Sequence, residues 1–194
     1  MARSIDKTKI EKIRNSAMEL VVKKGYGGAS ISEIAKNAAV ADGYLYRFYT
    51  SKSELVNDLL YSLLKELVDN MESFISDTKL TVKDAVEKLV RLLFEMAYQQ
   101  PEKIKFLFVL MHDYNFEIHP EQRKKIFDLC RKAKHKGIKT KEISAAIDEE
   151  AIYLFTVSMP IQFLNLRLKN FFEKSSIDEK EIKRVINLSS KILQ

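Results

Sequence analysis

The residues best suited to a chemical role lie within residues 30–55, where serines, tyrosines and basic side chains follow one another on short predicted helices. Ser30 and Glu33 have the S-x-x-E spacing of a capping box, which predicts that a helix begins there. A second short helix is predicted at residues 43–49, with Asp42 as its N-cap. Because phosphate oxygens and base edges need N–H and O–H donors, such a helix has the side chains that DNA binding requires.

The second short helix has two predicted faces. Leu45 and Phe48 are expected to face the interior of the protein. Tyr44 and Arg47 share the outward face, and Tyr46 is expected at the boundary between the two. The same spacing also fits an ordinary helical hairpin with surface tyrosines, and spacing alone leaves both interpretations open.

The distribution of charge favours nucleic-acid binding by this part of the chain. The 194 residues have a formal net charge of +6, and residues 1–52 contain ten Lys or Arg against five Asp or Glu. The remaining residues contain 23 basic and 22 acidic side chains. A solvated basic tail would explain the cations before residue 13 but not Lys36, Arg47 and Lys52. The excess positive charge therefore lies in the segment that would neutralise DNA phosphates.

A resemblance to the N-terminal domain of TetR-type (tetracycline-repressor-like) transcriptional regulators is carried by the segment GYGGASISEIAKNAAVADGYLYRFYTSKSEL. Its ordered motifs are S-x-x-E-I-A, V-x-x-G-x-L-Y-R-x-[FY] and S-K-x-E-L, and the match covers about residues 8–60. The resemblance implies a helix-turn-helix head that binds double-stranded DNA. Phosphate contacts are then expected from Ser30, Ser32, Tyr46 and Lys52, and groove contacts from Gly43, Tyr44 and Arg47.

Four positions depart from the usual pattern of these regulators. Ala39 stands where Gly is frequent in the turn, and Thr50 replaces a frequent Pro. Asp42 occupies a position that is commonly basic, and Tyr44 replaces a small residue. An acidic side chain and a phenol beside the groove suggest an unusual operator preference or fewer phosphate contacts.

The rest of the chain is predicted to be helical as well, so the fold class is all-α with about nine helices. A three-helix DNA-binding domain at residues 1–52 precedes a larger effector-binding and dimerisation domain at residues 53–194. The predicted helices of the larger domain are 53–75, 82–99, 103–113, 121–136, 149–174 and 178–193. Pro160 is expected to kink the helix at 149–174. The segment from Gly137 to Ala146 is predicted to be a loop.

The sequence shows no pattern that indicates catalysis, a cofactor or a metal site. The glycines at residues 25–28 follow a helix and lack the G-K-[ST] of a phosphate loop, and the three histidines form no metal-binding pair. The single cysteine, Cys130, fits a reducing cytoplasm, and the N-terminus lacks a signal-peptide core. The charge-free run at residues 151–166 is short and polar for a membrane span, so it is expected to be a buried or interface helix.

The larger domain contains many bulky, adaptable side chains. At helical spacing such residues usually form a plain core, but similar regulators enclose an effector pocket between these helices, which would suit a small apolar or amphipathic ligand. The candidate pocket residues are Met96, Phe106, Met111, His112, Tyr153, Met159, Gln162 and Phe163.

The last two predicted helices, 149–174 and 178–193, are expected to form a homodimer interface as a four-helix bundle, although they would otherwise close the monomer core. Two heads that read successive major grooves of a palindromic operator would multiply the specificity of one short helix. The sequence thus predicts a ligand-responsive regulator, in particular a repressor. The alternatives are a helical small-molecule-binding protein or a protein–protein adaptor with a non-functional head.

Overall fold

The computed structural model describes residues 6–191 and residue 193. Every regular element in this part of the chain is a helix, which confirms the all-α prediction. The predicted ranges 1–52 and 178–193 also contain residues 1–5 and Ile192, which lie outside the described residues. The nine helices are α1 Lys7–Gly28, α2 Ile31–Asn37, α3 Asp42–Leu45, α4 Lys52–Ser76, α5 Val82–Gln99, α6 Pro101–His112, α7 Pro120–Thr140, α8 Glu149–Leu168 and α9 Glu179–Lys191.

Local capping explains why several helices begin where the sequence predicts. The Ser30 hydroxyl accepts the Glu33 N–H at 3.2 Å at the start of α2. Thr81 and Asp84 form a reciprocal capping box at the start of α5. Asp148 caps α8 by accepting the Ala151 N–H at 2.8 Å. Each cap satisfies a backbone donor that has no partner inside its own helix.

The described chain divides into two compact units. The head unit comprises the described residues up to Ser62 together with Lys105–Ile118. The body unit comprises Leu63–Ile104 and the described residues from His119 onward. The head unit therefore extends beyond the predicted DNA-binding domain of residues 1–52, whose functional boundary stays a prediction. Helices α4 and α6 each have residues in both units.

In the body unit, α5 packs against α7, α8 and α9. Two ion pairs connect α9 with its neighbours: Arg91 of α5 with Glu179 at 2.8 Å, and Arg167 of α8 with Glu181 at 2.9 Å. Arg167 is buried, and its guanidinium lies over the Phe163 ring. These contacts fix the start of α9, whose N-cap is Asp178 because its carboxylate accepts the Glu181 N–H.

The end of α4 is held by α7 within the body unit. The Lys136 ammonium donates to the backbone carbonyls of Ile75 and Asp77, at 3.0 and 2.6 Å. Ile75 and Ala133 belong to one buried apolar cluster at the same place. A lysine from α7 thus satisfies carbonyls that the end of α4 leaves without helical partners.

The predicted end of α7 was wrong. The helix was expected to end at Lys136 and to be followed by a loop from Gly137, but it continues to Thr140, with Lys141 in the left-handed conformation. Gly137 is a buried helical residue. A Cβ built there would lie 2.4 Å from Ile143 Cγ1, so this glycine makes room for a side chain rather than for a turn.

The prediction for α8 was also inaccurate at its centre and at its end. The helix ends at Leu168 rather than Lys174, and residues 154–158 form a π-helical segment, in which the Met159 N–H donates to the Leu154 carbonyl. The segment ends two residues before Pro160, which lacks the N–H of an α-helical bond. By length and composition α8 could cross a membrane, a test that core helices of soluble proteins also pass.

Helix α6 begins two residues before the predicted start, because Pro101 opens it rather than preceding it. It ends at His112, one residue before the predicted end. Proline is well suited to the first turn, where its missing N–H would have no helical partner.

The turn after α2 forms a Schellman motif without glycine. The Val40 N–H donates to the Ala35 carbonyl and the Ala39 N–H to the Lys36 carbonyl, at 3.0 and 3.2 Å. Ala39 consequently has a φ of 54°. A Cβ is unfavourable in this left-handed region, so the departure noted in the sequence places local strain in the turn.

We expect Ala39→Gly to raise the free energy of unfolding by about 0.5–1 kcal/mol, because relief of the left-handed strain outweighs the extra chain entropy of glycine. Thermal and urea unfolding measure the change. Lys36→Gly, which replaces an exposed helical residue of α2, is the control and should lower stability. Equal destabilisation by both variants would contradict the strain at Ala39.

We expect Gly137→Ala to lower the free energy of unfolding by about 1–3 kcal/mol, because the new methyl group overlaps the buried Ile143 side chain. A urea titration of both proteins measures this. The double variant Gly137→Ala with Ile143→Val, compared with Ile143→Val alone, should show a smaller penalty. An increase in stability from the higher helix propensity of alanine would contradict the packing argument.

Candidate nucleic-acid interface

The exposed surface of α3 and the turn after it contains the side chains predicted to contact DNA. Tyr46 is 54% exposed, and Arg47 is exposed as well. Leu45 is fully buried and Tyr49 nearly so, which anchors this short segment on the rest of the head. A Cβ built on Gly43 would meet no atom within 4 Å. This α3 segment, residues 42–49, therefore presents a phenol, a guanidinium and a glycine backbone to solvent.

The predicted helix at residues 43–49 is shorter than expected, and its N-cap assignment was wrong. Only Asp42–Leu45 is α-helical, and the chain continues as turns in which the Arg47 and Phe48 N–H groups donate three residues back. Ala41 is the N-cap and makes no side-chain cap. The Asp42 carboxylate instead accepts a hydrogen bond from the Ser32 hydroxyl of α2 at 2.8 Å. This departure from the usual basic residue thus connects α2 to α3.

The two tyrosines exchange their expected positions. Tyr44 was expected to face outward, but it is half-buried, with its ring 5.3 Å from Phe48. The Lys9 ammonium and the Arg47 guanidinium lie 5.3 and 5.8 Å from the Tyr44 ring centre. Tyr46 was expected at the boundary and is the more exposed phenol. Tyr44 therefore connects cations of α1 and of the α3 segment through cation–π contacts.

The start of α2 presents two exposed hydroxyl side chains, Ser30 and Ser32. Beside them the Lys24 ammonium lies 2.6 Å from the Glu33 carboxylate. Its hydrogen bond, more than any other interaction, lowers the pKa of Glu33. The carboxylate is therefore charged at neutral pH and partly offsets the positive charge at this end of the helix.

Lys52 has a structural role that the sequence did not reveal. Its ammonium donates to the backbone carbonyls of Tyr26 and Ala29, at 2.7 and 2.9 Å, and lies 4.3 Å from the Tyr26 ring centre. Two of its three protons therefore hold the turn between α1 and α2, which comprises the kinked last turn of α1 and the residue after it, residues 25–29. Its role as a phosphate ligand stays a prediction.

A polar network that sequence reasoning missed connects α1, the α3 segment and α4. The Arg14 guanidinium donates to the Asp58 carboxylate and, at 2.7 Å, to the Ser62 hydroxyl. The Tyr49 hydroxyl donates to Asp58 at 2.9 Å. Burial raises the pKa of Tyr49, and the bond to Asp58 raises it further, so the phenol stays protonated as a donor. The partners are 44 residues apart, so local spacing gives no signal for them.

The eight candidate pocket residues are distributed between the two units, and their shared role stays a prediction. In the head unit, Phe106 is fully buried, Met111 is half-buried and His112 is exposed. The others are in the body unit, where Gln162 is exposed and the half-buried members are Met96, Tyr153, Met159 and Phe163. No group of three His, Cys, Asp or Glu side chains that could hold a metal occurs among the described residues.

Comparison with known proteins agrees with this geometry. Residues 13–59, which contain α2, α3 and the polar network around Asp58, match the family described as "Bacterial regulatory proteins, tetR family". This part of the chain is a TetR-type head. The match to a family of bacterial regulatory proteins indicates a regulatory helix-turn-helix head over these residues.

The curated proteins similar to this chain include two from Bacillus subtilis (strain 168). The fatty acid metabolism regulator protein is 28% identical over 88 residues, which is 45% of each protein. That alignment therefore spans less than half the length of the relative. The HTH-type transcriptional regulator PksA is 24% identical over 198 residues, or 96% of this chain and 90% of PksA.

Solved TetR-type structures share the fold over nearly the whole chain. A TetR family transcription regulator from Marinobacter aquaeolei VT8 has a TM-score of 0.74 at 18% identity, covering 96% of this chain and 95% of its own. FadR from Bacillus subtilis, solved in complex with stearoyl-CoA, has a TM-score of 0.68 at 18% identity, covering 95% of this chain and 99% of its own. At this identity the likeness shows the fold alone.

We expect Gly43→Ala to leave the melting temperature unchanged while lowering DNA affinity on the order of tenfold, because the protein has room for the methyl group and an approaching DNA backbone does not. Fluorescence anisotropy with labelled DNA and a thermal melt measure the two quantities. Ser175→Ala, at an exposed residue of the body unit, serves as the control. Unchanged affinity in Gly43→Ala would contradict close approach of DNA at this residue.

Proposed function

We propose that the chain is a cytoplasmic repressor that binds a palindromic operator as a homodimer and is released by an amphipathic effector with a long acyl chain. The observation that carries the DNA-binding part is the exposed surface formed by Gly43, Tyr46 and Arg47 on a rigidly held segment. In this proposal Arg47 contacts guanine or the backbone, and Tyr46, Ser30 and Ser32 contact phosphates. Tyr44 contributes to the groove contact by positioning the Arg47 guanidinium over its ring. Lys52 is the remaining phosphate ligand.

The homodimer is proposed to form through α8 and α9. Leu154 of α8 is 50% exposed and Leu188 of α9 is 43% exposed, so each of these helices presents an apolar side chain to water. Covering both by a two-fold related copy removes this surface from solvent and gives the four-helix arrangement expected from the sequence. A dimer also supplies the second head that a palindromic operator needs.

The effector is proposed to contain a long acyl chain. The relatives support this because one is a fatty acid metabolism regulator and one was solved with stearoyl-CoA. The body unit supports it through half-buried, adaptable side chains, among them Phe163, whose ring lies 6.0 Å from that of Phe94. Flexible methionines and aromatic rings suit an unbranched hydrocarbon chain. Of the predicted pocket set, the members in the body unit are proposed for this role: Met96, Tyr153, Met159, Gln162 and Phe163.

Coupling between effector and operator is proposed to pass through α4 and α6, the helices with residues in both units. An effector that changes the packing around α4 in the body unit would change the geometry of the heads. A differential affinity of ~3 kcal/mol between the two states changes DNA occupancy about 150-fold, which is ordinary for such regulators.

The proposal predicts that the chain shifts DNA from upstream of its own gene in a gel-shift assay, and that Arg47→Ala combined with Tyr46→Ala abolishes the shift at equal protein stability. The salt dependence of the wild-type affinity should be steep, because phosphate contacts release counterions. Equal binding by both proteins would show that the α3 segment does not read DNA.

The effector is tested on the same complex. Stearoyl-CoA should dissociate the wild-type protein from DNA, with stearic acid and coenzyme A as the separate controls. Release by stearic acid alone would assign recognition to the acyl chain and carboxylate. No release by any of the three would reject an acyl-chain effector while leaving the DNA-binding role intact.

Two other functions predict different results. A helical small-molecule-binding protein with a non-functional head would bind the acyl ligand without any salt-sensitive DNA binding. A protein–protein adaptor that uses its apolar C-terminal helices would be monomeric by analytical ultracentrifugation until its partner is added.

A further inference from the structure

Asp113, the residue directly after α6, makes the contacts that connect this end of α6 to the turn between α1 and α2. Its Oδ2 atom accepts hydrogen bonds from the backbone N–H groups of Tyr26 and Gly27, at 2.8 and 3.4 Å. Its Oδ1 atom accepts the Asn115 backbone N–H at 2.9 Å and the Asn115 side-chain amide at 3.2 Å. One carboxylate thus joins two loops that are 87 residues apart.

The turn is shaped to receive an acceptor. Gly25 has a φ of 76°, which interrupts α1, and the two N–H groups that follow donate to the Asp113 carboxylate. Successive N–H groups in such a turn form a small concave site for an anion. Hydrogen bonds from Asn115, Tyr26 and Gly27 lower the pKa of Asp113, so its carboxylate is charged at neutral pH.

Further contacts close the same turn. The Phe116 ring packs edge-on against Tyr26, with the ring centres 5.2 Å apart. On the opposite side, the Lys52 ammonium occupies the carbonyls of Tyr26 and Ala29. The turn therefore has its donors satisfied by an anion after α6 and its acceptors satisfied by a cation at the start of α4. All these residues belong to the head unit.

The turn leads directly into the proposed DNA surface. Ser30, the N-cap of α2, follows Ala29, and α2 begins at Ile31. A shift of the turn by a fraction of an ångström is therefore transmitted to Ser30 and Ser32. Asp113 itself is unsuited to a phosphate contact because it is an anion, so its effect on DNA binding has to act through the turn.

We propose that Asp113 is a positioning residue for DNA binding, which holds the α1–α2 turn so that Ser30 and Ser32 are aligned with the DNA backbone. The proposal rests on the DNA-binding function proposed above. It assigns a role in operator affinity to a residue outside the helix-turn-helix, at the end of a helix that also has residues in the body unit.

The test compares Asp113→Ala and Asp113→Asn with the wild type in operator binding over a range of salt concentrations. Asp113→Ala should weaken binding about tenfold, because a charge-assisted pair of hydrogen bonds is lost. Asp113→Asn keeps one oxygen acceptor and should lie between the two. The slope of log K against log[salt] should stay at the wild-type value, because the docked protein keeps its phosphate contacts.

Hydrogen exchange provides a readout that a general loss of stability does not give. In Asp113→Ala the Tyr26 and Gly27 amides should exchange faster, while amides in the body unit keep their wild-type rates. Asp128→Asn is the matched control, since Asp128 is paired with Lys124 and Arg131 in the body unit. Asn115→Ala leaves the Tyr26 and Gly27 bonds in place and should have a smaller effect than Asp113→Ala.

The binding measurements distinguish the positioning role of Asp113 from the proposed DNA-binding function. Wild-type affinity in Asp113→Ala, with binding lost in Arg47→Ala, would overturn the positioning role alone. A salt slope that falls by one in Asp113→Ala would also overturn it. A wild-type protein that binds no DNA at any salt concentration would overturn both.

Discussion

The backbone N–H and C=O groups in the turn between α1 and α2 need hydrogen-bond partners, and the side chains that supply them hold the head together. Gly25 has non-helical backbone angles, so it separates the N–H and C=O groups that follow from the helix that precedes it. The Asp113 carboxylate takes the donors and the Lys52 ammonium takes the acceptors. This arrangement explains why the compact head contains residues 105–118, which are distant in sequence.

The same logic of distant partners extends through the head. The Asp58 carboxylate of α4 accepts hydrogen bonds from Arg14 of α1 and from Tyr49, which follows α3. The hydrogen bond from Ser32 to Asp42 joins α2 to α3. The short α3 segment is therefore held by side-chain contacts rather than by its own helical length, because four helical residues make a marginal helix alone. A rigid head loses less conformational freedom when it binds a partner.

The sequence predicted what local interactions decide. Apolar periodicity and caps such as Ser30, Thr81 and Asp148 depend on neighbours within a few residues, so the helix order and most helix starts were correct. Gly137 was misread because its role depends on Ile143 folding back against the helix, and glycine alone indicates a turn as readily as a close contact. Asp42 was misassigned because Ser32 competes for its carboxylate, and the structural role of Lys52 depends on carbonyls more than 20 residues away.

The π-helical segment of α8 has a consequence for the evolution of the body. A π segment holds one more residue than the α-helical turn it replaces, so it rotates everything after it by about 100° around the helix axis. Loss of one residue from 154–158 would return the segment to α-helical geometry and turn Pro160, Phe163 and Arg167 toward different neighbours. Deletion of a single codon would thereby change which side chains of α8 line the interior of the body and which face outward, without any change to the loops at the ends of the helix.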